Sequence, residues 1–176
     1  MERAILAISG IPGVGKTTVA GRVARSLARG VHIESDLLQK LIVSGGLWPD
    51  QEPREEARRQ LRLRVRNAAL LADSFFEAGF TPVIDDVLIG SRVDDLRADL
   101  RGRPLLFVML VPRLDVVDRR DAGRPDKRVF HAWKHLDEVV RRETPRVGLW
   151  LDTSEQTPEE TAAEILRRAW QEARVP

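Results

Sequence analysis

Five short apolar runs punctuate the chain: AILAIS at 4–9, VHI at 31–33, TPVI at 81–84, LLFVMLV at 105–111 and GLWL at 148–151. Their lack of alternation constrains the fold more than any other feature. A strand with one wet face alternates apolar and polar residues, whereas an unbroken apolar run reads as a strand covered on both faces, as in a parallel sheet. Helical signals occupy 16–29, 53–79, 91–101, 131–142 and 158–173. The stretch 53–79 is the clearest, with Ala57, Leu61, Val65, Ala68, Ala72 and Phe75 at three- and four-residue steps and Gly79 as a C-terminal stop. The last opens on Thr157-Pro158-Glu159-Glu160, a cap followed by proline and acids in the first turn. Alternating strands and helices predict a right-handed, doubly wound α/β sheet of five parallel strands with helices on both faces.

Composition narrows the class. The 176 residues suit one domain, 43% hydrophobic and 32% charged, which describes a globular chain rather than a disordered one. A net charge of +2 gives no argument for nucleic acid without a clustered basic face. With no cysteine, disulfides, thiolate catalysis and cysteine zinc sites are excluded. The longest apolar run is too short to span a bilayer, and the N-terminus lacks a signal-peptide pattern, so no membrane partner and a cytoplasmic location are expected.

After the first strand comes GIPGVGKTT: Gly10, Ile11, Pro12, Gly13, Val14, Gly15, Lys16, Thr17 and Thr18. The stretch fits G-x-x-x-x-G-K-[ST] in full, within the strand–loop–helix setting that the motif requires. Glycines let the backbone N–H groups turn inward toward phosphate oxygens, and the following helix adds its positive dipole end. Lys16 reaches the β- and γ-phosphates, and the Thr17 hydroxyl suits Mg²⁺. A site for ATP or GTP follows from this segment.

A phosphate loop alone does not name a reaction. No N-K-x-D guanine-reading element is present, and a small-molecule kinase needs only a base and an arginine-bearing lid besides. HIESDLLQKL places Glu34, Ser35 and Asp36 just past the second strand, where ligands of open α/β sheets sit. Asp36 there suits a general base for an attacking hydroxyl, and equally a cap for the helix beginning at Leu37. DRRDAGRPDKR at 118–128 gathers Arg119, Arg120, Arg124, Lys127 and Arg128 around Gly123 and Pro125. It reads as a lid placing guanidinium groups on the transferring phosphoryl, or as a solvated charged turn.

The phosphate loop, ESD after the second strand, VIDDVLIG ending the third and R-D-A-G-R in the lid together resemble the chloramphenicol phosphotransferase-like kinases. These belong with shikimate and gluconate kinases among small phosphate-loop enzymes. The resemblance covers nearly the whole chain and implies strand order 2-3-1-4-5, a lid over about 118–130, and Mg²⁺-dependent phosphorylation of a small hydroxylated molecule by ATP. It also implies Asp36 as base, with Arg120 against the adenine and Arg124 facing phosphate. GGLWPDQEPREE, from Gly45 to Glu56, departs from any substrate segment of these kinases. An antibiotic, a sugar acid, a nucleoside or a polynucleotide 5′-hydroxyl stay open as acceptors, nucleic acid being the less favoured partner. A non-catalytic nucleotide-dependent regulator is the competing class, and the chain is expected as monomer or homodimer.

Asp85 and Asp86 stand side by side at the end of a buried strand, where ionised groups are costly unless paired or metal-bound. Adjacent strand residues face opposite sides. Asp85 therefore reads as the Mg²⁺-side acid, with Asp86 on the substrate side or capping the next turn. Trp48, in a Gly/Pro-flanked loop, suits stacking on a substrate ring or anchoring of its own loop. Thr153 and Ser154, past the last strand, are candidate adenine contacts. Arg54, Arg58, Arg62 and Arg66 form an i, i+4 stripe, read as a solvated face with a Glu55–Arg59 pair beside it, or as a funnel for an anionic acceptor. His131 and His135 have a zinc-compatible spacing on a predicted helix but lack the glutamate of H-E-x-x-H.

Overall fold

The apolar runs form β1 (Ile5–Ser9), β2 (Gly30–Glu34), β3 (Thr81–Asp85), β4 (Leu105–Leu110) and β5 (Leu149–Leu151) in a computed structural model that describes residues 2–102, 104–123 and 129–176. All four strand pairings are parallel and the order is β2-β3-β1-β4-β5, the order that the resemblance implies. Every residue of β1 and β4 is buried, which accounts for their unbroken apolar character. Among the described residues no helix is long and apolar enough to cross a membrane.

The helices are α1 (Lys16–Ser26), α2 (Ser35–Lys40), α3 (Arg54–Glu77), α4 (Arg92–Asp99), α5 (Leu114–Ala122), α6 (Phe130–Trp133), α7 (Leu136–Glu143) and α8 (Pro158–Glu172). Chain direction reverses after β2, so right-handed crossovers put α1 on one face of the sheet and α3 and α4 on the other. α8 joins α1, and α3 packs on α4. The third-helix stripe is buried as its spacing predicts, except that Phe76 rather than Phe75 is fully covered.

One expectation needs correction. The stretch 131–142 is broken into α6 and α7 by a turn at Lys134 and His135, and Asp121 of α5 fixes the start of α6 by accepting hydrogen bonds from the N–H groups of Val129 (2.7 Å) and Phe130 (2.8 Å). His131 and His135 thus belong to no common helix: His131 lies 3.6 Å from Asp118, and His135 lies against Trp133. Within the expected lid, Asp118 to Ala122 form the end of α5, with Asp121 buried, and Phe130 opens α6. Arg124, Lys127 and Arg128 lie outside the described residues.

Strand register positions the site. Ile8 of β1 is level with Asp85 of β3, and the Asp86 N–H donates to the Ile8 carbonyl at 3.3 Å, so both acids end up beside the loop that leaves β1. At the far end of the chain α8 is started by a complete capping box: Thr157 Oγ1 accepts from the Glu160 N–H, and the Glu160 carboxylate accepts from the Thr157 N–H. Thr157→Ala is expected to cost about 1 kcal/mol. For a domain of this size that is a melting-temperature drop of about 2–4 °C, measurable by calorimetry.

Candidate active site

The loop between β1 and α1 turns on glycines. Gly13 and Gly15 both hold φ of 97°, and Gly15 is the N-cap of α1. A side chain at Gly13 would also press within 3.1 Å of Val117, so the loop has two reasons to exclude one there. Lys16 Nζ donates to the Ile11 carbonyl at 3.1 Å, which lays its charge across the loop. Gly10 and Val14 are buried beneath it, Pro12 is partly covered, and Thr18 is exposed.

Asp85 and Asp86 take opposite sides, as the pleat requires. Asp85 Oδ1 accepts from the Thr17 hydroxyl at 3.2 Å, and Oδ2 accepts from His32 Nε2 at 2.5 Å. Among the described residues no cluster of three or more His, Asp or Glu could hold an ion alone. One hydroxyl and one carboxylate at the phosphate loop nevertheless suit Mg²⁺, which keeps waters and phosphate oxygens as its other ligands. Asp86 points the other way, where Arg64 of α3 meets it: Nη2 donates to Asp86 Oδ1 at 2.6 Å, and Nη1 donates to Asp36 Oδ1 at 3.2 Å. The Val87 N–H adds a bond to Asp86 Oδ1 at 2.7 Å, while the buried Oδ2 has no hydrogen-bond partner among the described residues. Arg64 is only 4% exposed, so it is the cation that makes a buried acid tolerable.

One cleft of about 420 Å³ takes in Gly13, Gly15, Lys16, Thr17, Asp36, Asp85 and Asp86 together with Trp48, Arg64, Arg92 and Trp133. Arg92 is half-buried there and makes no ion pair among the described residues, only a long bond of 3.4 Å to the Val87 carbonyl. Burial pushes its guanidinium below the usual arginine range, and nearby Asp86 partly offsets the shift. The loop carrying Trp48 is latched by Gln60, whose Oε1 accepts from the Leu47 N–H (2.7 Å) and from Gln39 Nε2 (3.3 Å), while its Nε2 donates to Gly45 (2.8 Å).

Arg120, Thr153 and Ser154 are brought together, but they do not line this cleft. Arg120 Nη2 donates to the carbonyls of Thr153 (2.7 Å) and Gln156 (2.9 Å), fastening the loop after β5. The Thr153 side chain is buried, and Ser154 Oγ accepts from the Arg113 N–H at 2.8 Å and donates to Asp152. Any nucleotide contact there would fall to the backbone.

The arginine stripe is a solvated face, with Arg54, Arg58 and Arg66 exposed and Arg62 half-exposed, and two of its members are ion-paired. Arg62 clamps Asp99 through both Nη atoms and approaches Asp95 at 3.4 Å, Arg54 binds Glu52, and Arg59 pairs with Glu56 rather than Glu55. Reading the sequence missed Arg64, His32, Arg92 and Trp133. For Arg64 a signal existed: it sits among Leu61, Val65 and Ala68 on the apolar side of α3, where an unpaired charge is untenable.

Residues 6–129 match the model of a family described as "AAA domain". The chain belongs to that family. It spans about half the length of the curated relative it matches, a "UPF0200 protein" of Aeropyrum pernix: 38% identity over 87 residues, 48% of this chain and 46% of that one. Among solved structures, an unliganded sugar kinase from Janibacter superposes with a TM-score of 0.70 at 20% identity, covering 94% of this chain and 93% of the other. The tunicamycin resistance protein of Deinococcus radiodurans gives 0.67 at 22% identity, with 99% of both chains covered. The fold is that of the phosphate-loop kinases.

Removing Arg64 strands Asp86 in the interior. Arg64→Met is expected to destabilise the protein by about 3–5 kcal/mol, and the double variant Arg64→Met/Asp86→Leu to recover most of that loss. Urea unfolding of the two proteins checks it.

Proposed function

We propose that the chain is an ATP-dependent kinase that transfers the γ-phosphoryl group to a hydroxyl of a small molecule, acting as one domain with the end of α5 and the segment after it as its lid. The observation that carries this reading is a single cleft shared by Lys16 and Thr17 of the phosphate loop and by Asp36 on the other wall. In the reaction, the acceptor hydroxyl gives its proton to Asp36 while its oxygen bonds to the γ-phosphorus. The bond to the β–γ bridging oxygen breaks, and ADP leaves. Mg²⁺, held by Thr17 and Asp85, supplies charge stabilisation of the phosphates when bound. Lys16 and the inward N–H groups of Gly13 and Gly15 hold the γ-phosphoryl group in line.

The acceptor side is built for a molecule with both an apolar ring and hydroxyls. Trp48 and Trp133 provide flat walls, Asp86 Oδ2 is an unmet hydrogen-bond acceptor, and Arg92 is a donor without an ion partner. Sugars, nucleosides and ring-bearing antibiotics all meet that description. The name of the tunicamycin resistance protein puts tunicamycin on the test panel beside chloramphenicol.

Incubation of the protein with Mg·ATP and this panel, read by mass spectrometry, is expected to add one phosphoryl group to at least one member. With that acceptor, Lys16→Ala should abolish transfer. Asp36→Asn should leave ATP affinity nearly unchanged and lower kcat by about 10²–10⁴-fold, the usual share of general-base catalysis. Wild-type turnover in Asp36→Asn would remove Asp36 from the chemistry, and ATP binding without transfer to any hydroxyl would favour a nucleotide-dependent regulator.

A further inference from the structure

His32 is a histidine in the middle of a parallel strand, and neither the phosphate loop nor the acceptor wall accounts for it. In the β2–β3 register His32 is level with Val83 and Glu34 with Asp85, so His32 and Asp85, two steps apart, leave the sheet on the same face. That is the face covered by α1, which carries Thr17. α1 lies over the ring at Gly21, where an added Cβ would sit 3.6 Å from His32 Nδ1, at ordinary contact distance. The His32 side chain is 25% exposed and that of Asp85 only 6%, so their contact is largely shielded from water.

We propose that His32 is a positioning residue for the metal-facing acid: by donating Nε2–H to Asp85 Oδ2 at 2.5 Å, it fixes the carboxylate so that Oδ1 stays turned toward Thr17. A carboxylate only accepts, so the proton in this bond is on Nε2. Without that donor, Asp85 has one buried oxygen unmet and its terminal torsion is no longer held, so the oxygen pair presented to Mg²⁺ loses its preset orientation. Hydrogen-bonded partners of metal-binding side chains commonly contribute 10–100-fold in metal affinity by this route. The inference rests on the kinase reading only in placing Mg²⁺ at Thr17 and Asp85; it needs neither the acceptor nor turnover.

The test is binding of a fluorescent ATP analogue, mant-ATP, to the full chain, titrated with Mg²⁺ and repeated in EDTA. Three proteins are compared: wild type, His32→Leu, which packs but cannot donate, and His32→Gln, whose amide nitrogen reaches the position of Nε2. His32→Leu is expected to raise the half-saturating Mg²⁺ concentration about tenfold or more, with metal-free nucleotide affinity unchanged, and His32→Gln to restore the wild-type value. A Leu variant that matches wild type overturns the proposal, as does tighter Mg²⁺ binding, an equal loss in EDTA, or a Gln variant as defective as Leu. Should His32→Leu not fold, His32→Asn, too short to reach Asp85, takes its place under the same criteria. Mg²⁺-supported binding with no effect of His32 sinks this inference alone, whereas a wild-type protein that binds no mant-ATP sinks the kinase reading with it.

Discussion

A single guanidinium organises one wall of the cleft in this molecule. Arg64 enters from α3, is almost fully buried, and bonds at once to Asp86 at the end of β3 and to Asp36 in α2. Three elements distant in sequence are thereby fixed at one wall of the cleft. A buried ion pair rarely stabilises a fold more than well-packed apolar residues would, because desolvating the charges cancels most of their attraction. The triad is better understood as a device that sets where two carboxylates stand: Asp86 buried with one oxygen unmet, Asp36 half in solvent and beside the phosphate loop.

The sheet divides the two functions by its pleat. Consecutive residues of β3 face opposite layers, so Asp85 goes to α1 with Thr17 and His32, and Asp86 to α3 with Arg64. The two acids are thus separated by one peptide unit, yet both open into the same cleft, since the β1–β3 register brings the strand end level with the start of the phosphate loop. The loop carrying Trp48 is shaped independently, through buried Gln39 and Gln60 hydrogen-bonding to its backbone.

Much of this was legible from residues alone, because the signals are local. Glycines at fixed spacing before Lys16-Thr17 specify a phosphate-binding turn by backbone conformation, and unbroken apolar runs specify strands covered on both faces. The capping box at Thr157 is contained in four residues. The opposite facing of Asp85 and Asp86 follows from a period of two. In each case the physical cause acts over a few residues, so sequence by itself determined the sheet, the position of its phosphate loop and the need for a cation near Asp86.

What the sequence left open depended on contacts between distant segments. Which arginine answers Asp86 was undecided among many, and the crossing of α3 over the sheet selects Arg64 while Arg62, two residues earlier, turns to Asp99. His32 reaches Asp85 only because β2 lies beside β3. The periodicity that suggested one helix over 131–142 carried no trace of Asp121, eight residues back from Val129, whose carboxylate fixes where α6 starts. Charged side chains are long, and many partners lie within their reach, so their pairing is decided by packing of the elements that carry them. Tertiary structure alone made that choice.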